Sequence, residues 1–277
     1  MSRRGTTIIV GALVVGAALF VAARMAMNDN GAPERAATGT GSFAARTAWG
    51  EPNLAGVWKA VPLGASSGRD TFNLAKLEAL YTPEARTRMK ELSAKDDPTM
   101  RCAPPLFPRA AMLGHPVQII QRPGFAFVFT EAYPVFRIIP TSGRPHTSKQ
   151  YLFPTYMGDS TARWEGDTLV VDTIGTNGRA RPINGYVSGA VTSGVDTAPR
   201  LPASEQLHVT ERIRLVGDGQ YLEDEITVDD PKTYLKPWTV KRYWQRRSDI
   251  DLQEYACTDN RRRDAEGQQD PGAPPGP

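Results

Sequence analysis

Two cysteines and three histidines are all that 277 residues supply. The chain has no phosphate-binding Walker loop, His-Glu-x-x-His helix, Cys-x-x-Cys-His haem site or Gly-x-Gly-x-x-Gly dinucleotide fingerprint, which excludes several common enzyme classes at the level of local motif. The histidines, His115, His146 and His208, have no metal-pair spacing, and zinc would have to draw on distant segments. No metal or other cofactor is therefore expected. Excess charge is also missing: 33 basic residues stand against 30 acidic ones with both signs interleaved, which argues against a nucleic-acid partner.

Long apolar runs are absent except at the start, where residues 6 to 27 follow the basic Ser2-Arg3-Arg4. The uncharged stretch from Thr6 to Ala23, about 18 residues, spans roughly 27 Å as a helix, close to a bilayer's hydrocarbon thickness. Export is expected, with residues 1 to 27 as a single membrane anchor at the cell inner membrane and the remainder on the periplasmic side. The alternative is a signal peptide cleaved after Val21-Ala22-Ala23, which leaves a soluble periplasmic protein. A lipoprotein-type anchor would need a cysteine just after the apolar core, and the first is Cys102. In an oxidising compartment Cys102 and Cys257 are expected to pair.

Residues 28 to 50 are small and polar and read as a linker, and residues 261 to 277, opening on three arginines, read as a disordered tail. Between them, residues 51 to 260 are punctuated by turn residues separating β-branched and aromatic runs, the pattern of an antiparallel all-β domain. Hairpins are expected around Arg122-Pro123-Gly124, Glu165-Gly166-Asp167 and Gly217-Asp218-Gly219. Further strands are expected over Pro134 to Ile139, Trp238 to Arg247 and Asp251 to Ala256. About nine or ten such strands can avoid open edges by closing into a barrel or folding as a sandwich, and the barrel is expected. Thr82-Pro83-Glu84 opens one helix, with a capping threonine and a proline at the first position, expected to reach Ala94. Residues 176 to 204 form a long loop.

Several strings resemble a large family of exported bacterial proteins with no assigned activity. They are Leu54-Ala-Gly-Val-Trp58, Arg101-Cys-Ala-Pro-Pro105, Gly143-Arg-Pro-His146, Trp164-Glu-Gly-Asp-Thr-Leu-Val-Val-Asp-Thr173, Leu207-His-Val-Thr-Glu-Arg212 and Glu254-Tyr-Ala-Cys257. The chain departs from that family's pattern at Asp159, where histidine is usual, and at Thr176, where phenylalanine is usual. Gly56-Val57-Trp58 also resembles the Gly-x-Trp opening of lipocalin-like barrels, which implies a barrel closed at one end by the tryptophan.

On the strand Gln206 to Val216, alternation sets Leu207, Val209, Ile213 and Leu215 on one face and His208, Thr210, Arg212 and Arg214 on the other. Glu211 interrupts the apolar face and needs a cationic partner such as Arg137, Arg163 or Arg242. His208, Glu211, His146, Asp172 and Arg101 are the candidate acid and base groups. Trp164, Phe127, Phe129, Arg212 and Trp244 are the candidate ligand contacts, within an aromatic supply that includes Phe125, Tyr151, Phe153 and Trp238. The expected function is a membrane-tethered, lipocalin-like β domain that binds a small apolar or amphipathic molecule. The alternatives are an exported enzyme doing acid-base chemistry in the same cavity and an envelope interaction module without ligand.

Overall fold

The structure, a computed structural model, describes residues 45–61, 77, 79–91, 98–112, 114–179 and 203–257. The expected anchor, most of the linker and the tail lie outside the described residues. Within those described, no helix is long and apolar enough to cross a membrane. Residues 45 to 50, expected to belong to the linker, contact the domain: Arg46 bridges to Pro52 and its guanidinium meets Asp167 at 2.7 Å.

Nine antiparallel strands follow one another around a nearly closed barrel. They are β1 (Gly56–Ala60), β2 (Val117–Arg122), β3 (Phe125–Thr130), β4 (Val135–Pro140), β5 (Asp159–Glu165), β6 (Thr168–Ile174), β7 (His208–Val216), β8 (Tyr221–Asp229) and β9 (Trp238–Arg247). Their order is β4-β3-β2-β1-β9-β8-β7-β6-β5, so β4 and β5 are the two ends of the sheet and meet at a seam. The turn Gly217-Asp218-Gly219 holds all three residues at positive φ, a conformation that only glycine, and asparagine or aspartate at some cost, adopt readily. Helix α1 (Pro83–Glu91) is capped as expected, the Thr82 hydroxyl accepting from the Ala85 amide at 3.1 Å. A second short helix, α2 (Arg109–Met112), precedes β2.

One expected strand is corrected. Asp251 to Ala256 is irregular, because both edges of β9 are already occupied by β1 and β8. The segment is instead held by side chains, with Gln253 N–H on Glu131, the Tyr255 ring against His115 and Tyr133, and a disulfide from Cys257 to Cys102. That bond, expected from the cysteine count, ties the chain's last described residue to the Pro-rich segment after α1.

Inward-facing residues make two apolar clusters stacked along the barrel. One contains Tyr81, Phe107, Val209, Ile226, Tyr234 and Val240, and the other contains Leu54, Trp58, Ile119, Ile213, Leu222 and Trp244. Trp58 is wholly buried, donates to Leu54 O at 2.9 Å and carries the Arg246 guanidinium 4.2 Å above its ring. The two clusters are separated by a polar layer, since the strand alternation reads Val209-x-Glu211-x-Ile213 on β7, Leu222-x-Asp224-x-Ile226 on β8 and Val240-x-Arg242-x-Trp244 on β9. Three adjacent strands thus place an ionisable group between the two clusters, Asp224 directly opposite Arg242 and diagonal to Glu211.

Candidate functional site

The polar layer is completed by Arg137 from β4, Ser160 from β5 and Thr173 from β6. Arg137 donates to both oxygens of Glu211, at 3.0 and 2.6 Å, and to Ser160 Oγ and Thr173 Oγ1 at 3.1 and 3.0 Å. Its guanidinium lies 3.8 Å from the Phe107 ring centroid. This side chain therefore joins β4 to β5, β6 and β7 at the seam, where β4 and β5 are not paired as neighbouring strands. Glu211 faces inward on β7 as the alternation requires, and of the three arginines considered for it the partner is Arg137. Arg163 instead points outward to Glu165.

Asp224 is fully buried beside this pair. Burial and the neighbouring Glu211 charge push its carboxyl well above the usual range, against the opposing pull of Arg137 and Arg242. Burial lowers the Arg242 guanidinium to about 10, with Asp224 acting in the opposite direction. Among the described residues, Asp224 Oδ1, Arg137 Nε and Arg242 Nε have no hydrogen-bond partner. The cavity lined by Trp58, Arg137, Glu211, Asp224 and Trp244 measures about 50 Å³. That is room for a few water molecules, not for an organic ligand, so the barrel interior is largely filled by its own side chains.

A larger opening of about 400 Å³ lies at the seam, within the size range of small-molecule sites. Val135, Ile138, Tyr156 and Met157 supply its apolar wall, and Arg137, Asp159 and Ser160 its polar groups. Arg137 and Met157 also line the inner cavity, so these two side chains stand between the opening and the charged layer. Its rim includes Gly158 at φ +71, where an added Cβ would stand 2.6 Å from Ile174 O.

On the outer wall beside the seam, four side chains form a hydrogen-bonded row. His146 Nδ1 meets Asp159 Oδ2 at 2.9 Å, His146 Nε2 meets Asp172 Oδ1 at 2.6 Å, and His208 Nε2 meets Asp172 Oδ2 at 2.7 Å. Asp159 also accepts from Thr147 N and Oγ1. Asp159, Asp172 and His208 project from the outer face of β5, β6 and β7, where Asp172 pairs with Thr161 and Thr210 and so lies diagonal to the other two. His146 covers them from the segment after β4. Burial opposes ionisation of Asp159 and of Asp172, yet hydrogen bonds from Thr147 and His146 in the first case, and from His146 and His208 in the second, hold both carboxyls below their ordinary value.

The five acid-base candidates thus separate. His146, Asp172 and His208 come together outside the barrel, Glu211 points inside, and Arg101 is exposed at the end of the 3-10 turn Pro98–Arg101. Asp172 parts from Glu211 because β6 turns Leu169, Val171 and Thr173 inward and Val170, Asp172 and Ile174 outward. Asp159 was not among the candidates, although the two-residue period from Asp159 to Thr161 sets it on the face of Asp172. Among the ligand candidates, Trp244 lines the small inner cavity and Trp164 packs half-buried on the second apolar cluster. Arg212 is exposed and meets Glu165 at 2.9 Å. Phe127 and Phe129 are corrected: they lie on the outer face, against Phe125 and Phe136, because Ala126 and Val128 take the inward positions. Trp238 belongs to the first cluster, while Tyr151 and Phe153 are exposed.

No family model and no curated protein matches the chain. A search of solved structures finds a secretary abundant heat soluble (SAHS) protein from Ramazzottius varieornatus, with a TM-score of 0.31 and 10% sequence identity over 70% of this chain and 95% of that one. The functional reading therefore rests on this chain's own geometry.

Proposed function

We propose that the domain binds a small amphipathic molecule at the seam between β4 and β5. The observation that carries this reading is the opening of about 400 Å³ whose apolar wall ends on Arg137. A ligand there lays its apolar part on Val135, Ile138, Tyr156 and Met157 and turns its polar end toward Arg137 and Ser160. The site thus moves from the barrel interior to its seam, since Trp58 and Trp244 occupy the interior. Export and tethering through residues 6 to 27 belong to the same proposal, supported by the apolar run and by the Cys102–Cys257 bond. The test is titration with the fluorescent amphipath 11-dansylaminoundecanoate. Saturable binding of one molecule per chain that Met157→Trp abolishes is the expected result, and binding that Met157→Trp leaves unchanged refutes the seam as the site.

One observation favours the acid-base alternative. Asp159 lines the opening and is hydrogen-bonded to His146, and through it to Asp172 and His208. Conversion of a bound compound that His146→Ala abolishes, while binding persists, would establish chemistry in place of carriage.

A further inference from the structure

The outer wall of the barrel has two unlike faces. Across β7, β8 and β9 it is laced with ion pairs, Arg212 to Glu165, Arg214 to Glu223 and Lys241 to Glu225, the ordinary state of a sheet face in water. Across β2, β3 and β4 it is apolar. Register sets Ile120, Phe127 and Ile138 side by side in one cross-strand row and Phe129 beside Phe136 in the next, with Phe125 against Phe127 along β3. Ile120, Phe125, Phe136 and Ile138 are exposed and together offer roughly 350 Å² of apolar surface, a size of patch that commonly serves contact. The patch runs into the seam. Phe136 and Ile138 also line the opening of about 400 Å³ between β4 and β5. Its other lip, Thr155 to Ser160, is preceded by Tyr151 and Phe153, 75% and 81% exposed, so bulky apolar side chains stand on one lip and next to the other.

We propose that the β2–β3–β4 face, with the mouth of the seam beside it, rests on a lipid bilayer carrying anionic headgroups. This builds on the tethering through residues 6 to 27 proposed above. Residues 28 to 44, even fully extended, reach no further than about 60 Å, so a tethered domain meets the lipid surface at high effective concentration and a weak apolar contact suffices. The charge around the patch fits such a surface. β2, β3 and β4 hold no acidic residue, and Arg122, Arg144 and Lys149 are exposed with no ion pair among the described residues. Aromatic and aliphatic side chains enter the boundary between headgroups and acyl chains, while long basic ones stay at the level of the headgroups and are drawn to anionic lipid. A second copy seated on the same face would instead set these bases against bases, which opposes association. Docking brings the opening against the phase that holds amphipathic molecules, and exchange then proceeds without passage through water.

The test uses full-length protein in vesicles of phosphatidylcholine and phosphatidylglycerol, with and without bromine on the acyl chains. Phe136→Trp and Ile138→Trp each add an indole to the face, and Tyr221→Trp adds one at the exposed start of β8, on the ion-paired side. The added emission is read as the difference from the unaltered protein, and circular dichroism shows that each variant is folded. Bromolipid should lower the emission added by Phe136→Trp and by Ile138→Trp about twofold or more, since interfacial side chains reach the acyl boundary, and should leave that added by Tyr221→Trp unchanged. Omitting phosphatidylglycerol should weaken the quenching, and equal quenching without it overturns the part assigned to the bases. Flotation separates the two readings. Protein that does not float with the vesicles overturns tether and docking together, whereas protein that floats with both face indoles unquenched overturns docking alone. If those unquenched indoles are also shielded from aqueous acrylamide, a second copy covers the face and the lipid assignment is wrong. Binding of the dansyl amphipath is read separately in detergent, so the seam stands or falls by itself.

Discussion

Replacing Glu211 by glutamine removes one charge from a pair whose side chains are 6% and 2% exposed. Glutamine keeps the size and one acceptor, but Arg137 is left as an uncompensated buried cation. Breaking such a pair costs about 3 to 5 kcal/mol. Because one acceptor survives and Ser160 and Thr173 still receive Arg137, the lower end of that range, about 3 kcal/mol, is expected. In a domain of this size that lowers the melting temperature by roughly 6 to 12 °C. Asp224 supplies a further check. Its carboxyl is pushed well above the usual range by burial first and by the Glu211 charge second, so without that charge Asp224 ionises more easily and offsets part of the lost pairing. Glu211→Gln/Asp224→Asn removes this relief and should melt lower still, whereas Arg137→Met/Glu211→Leu, which removes both charges, should return close to the unaltered protein. Thermal melting followed by circular dichroism reads all three. If Glu211→Gln melts within 2 °C of the parent, and adding Asp224→Asn changes nothing, the buried-pair argument is wrong.

Asp224→Asn alone tests the pH linkage. A carboxyl whose folded value is raised contributes fully below its unfolded value of 3.8 and loses that contribution as pH rises through the folded value. The melting temperature of the variant relative to the parent should climb as pH rises above about 4, and a difference constant from pH 4 to 8 would contradict the assignment. Gly158→Ala sets a Cβ against Ile174 O at positive φ and should cost about 1 to 3 kcal/mol, together with weaker binding of the dansyl amphipath at the rim it forms. Reducing the Cys102–Cys257 bond, which closes a separation of 155 residues, should lower stability by up to about 5 kcal/mol on chain-entropy grounds. A melting temperature indifferent to reductant would rule that out.

The strands were legible because turn residues and two-residue alternation are local properties. The β7 alternation separated Glu211 from His208 correctly, and the same period applied to β6 would have set Asp172 outside with His208. What local pattern cannot show is which residue of an alternating aromatic strand is buried. Phe125, Phe127 and Phe129 outweigh Ala126 and Val128 in apolar area, and only the tryptophans across the barrel decide the matter. Ala126 and Ala162 share a cluster with Trp58 and Trp244, so small residues face inward where the indoles already fill the space, and the phenylalanines are displaced to the outer wall. The helix cap at Thr82 and the disulfide were legible for the opposite reason, since each depends on few residues of unmistakable chemistry.

The seam was hidden from the sequence because it depends on which strands end the sheet. The order places β4 and β5 there, and no residue in either strand announces that its outer edge lacks a neighbour. Once the seam exists, Arg137 acquires two roles from one set of bonds. It closes the wall through Ser160, Thr173 and Glu211, and it presents the polar end of the opening to whatever enters. A ligand that takes a hydrogen bond from the terminal nitrogens bound to Ser160, Thr173 and Glu211 must therefore replace one that holds β4 against its neighbours, whereas Arg137 Nε has no partner among the described residues. Molecules with a compact hydrogen-bond acceptor at one end can make that exchange without leaving the guanidinium unpaired, whereas wholly apolar molecules cannot reach it without losing a buried hydrogen bond. The same residue that seals the barrel thus favours amphipathic over purely apolar ligands.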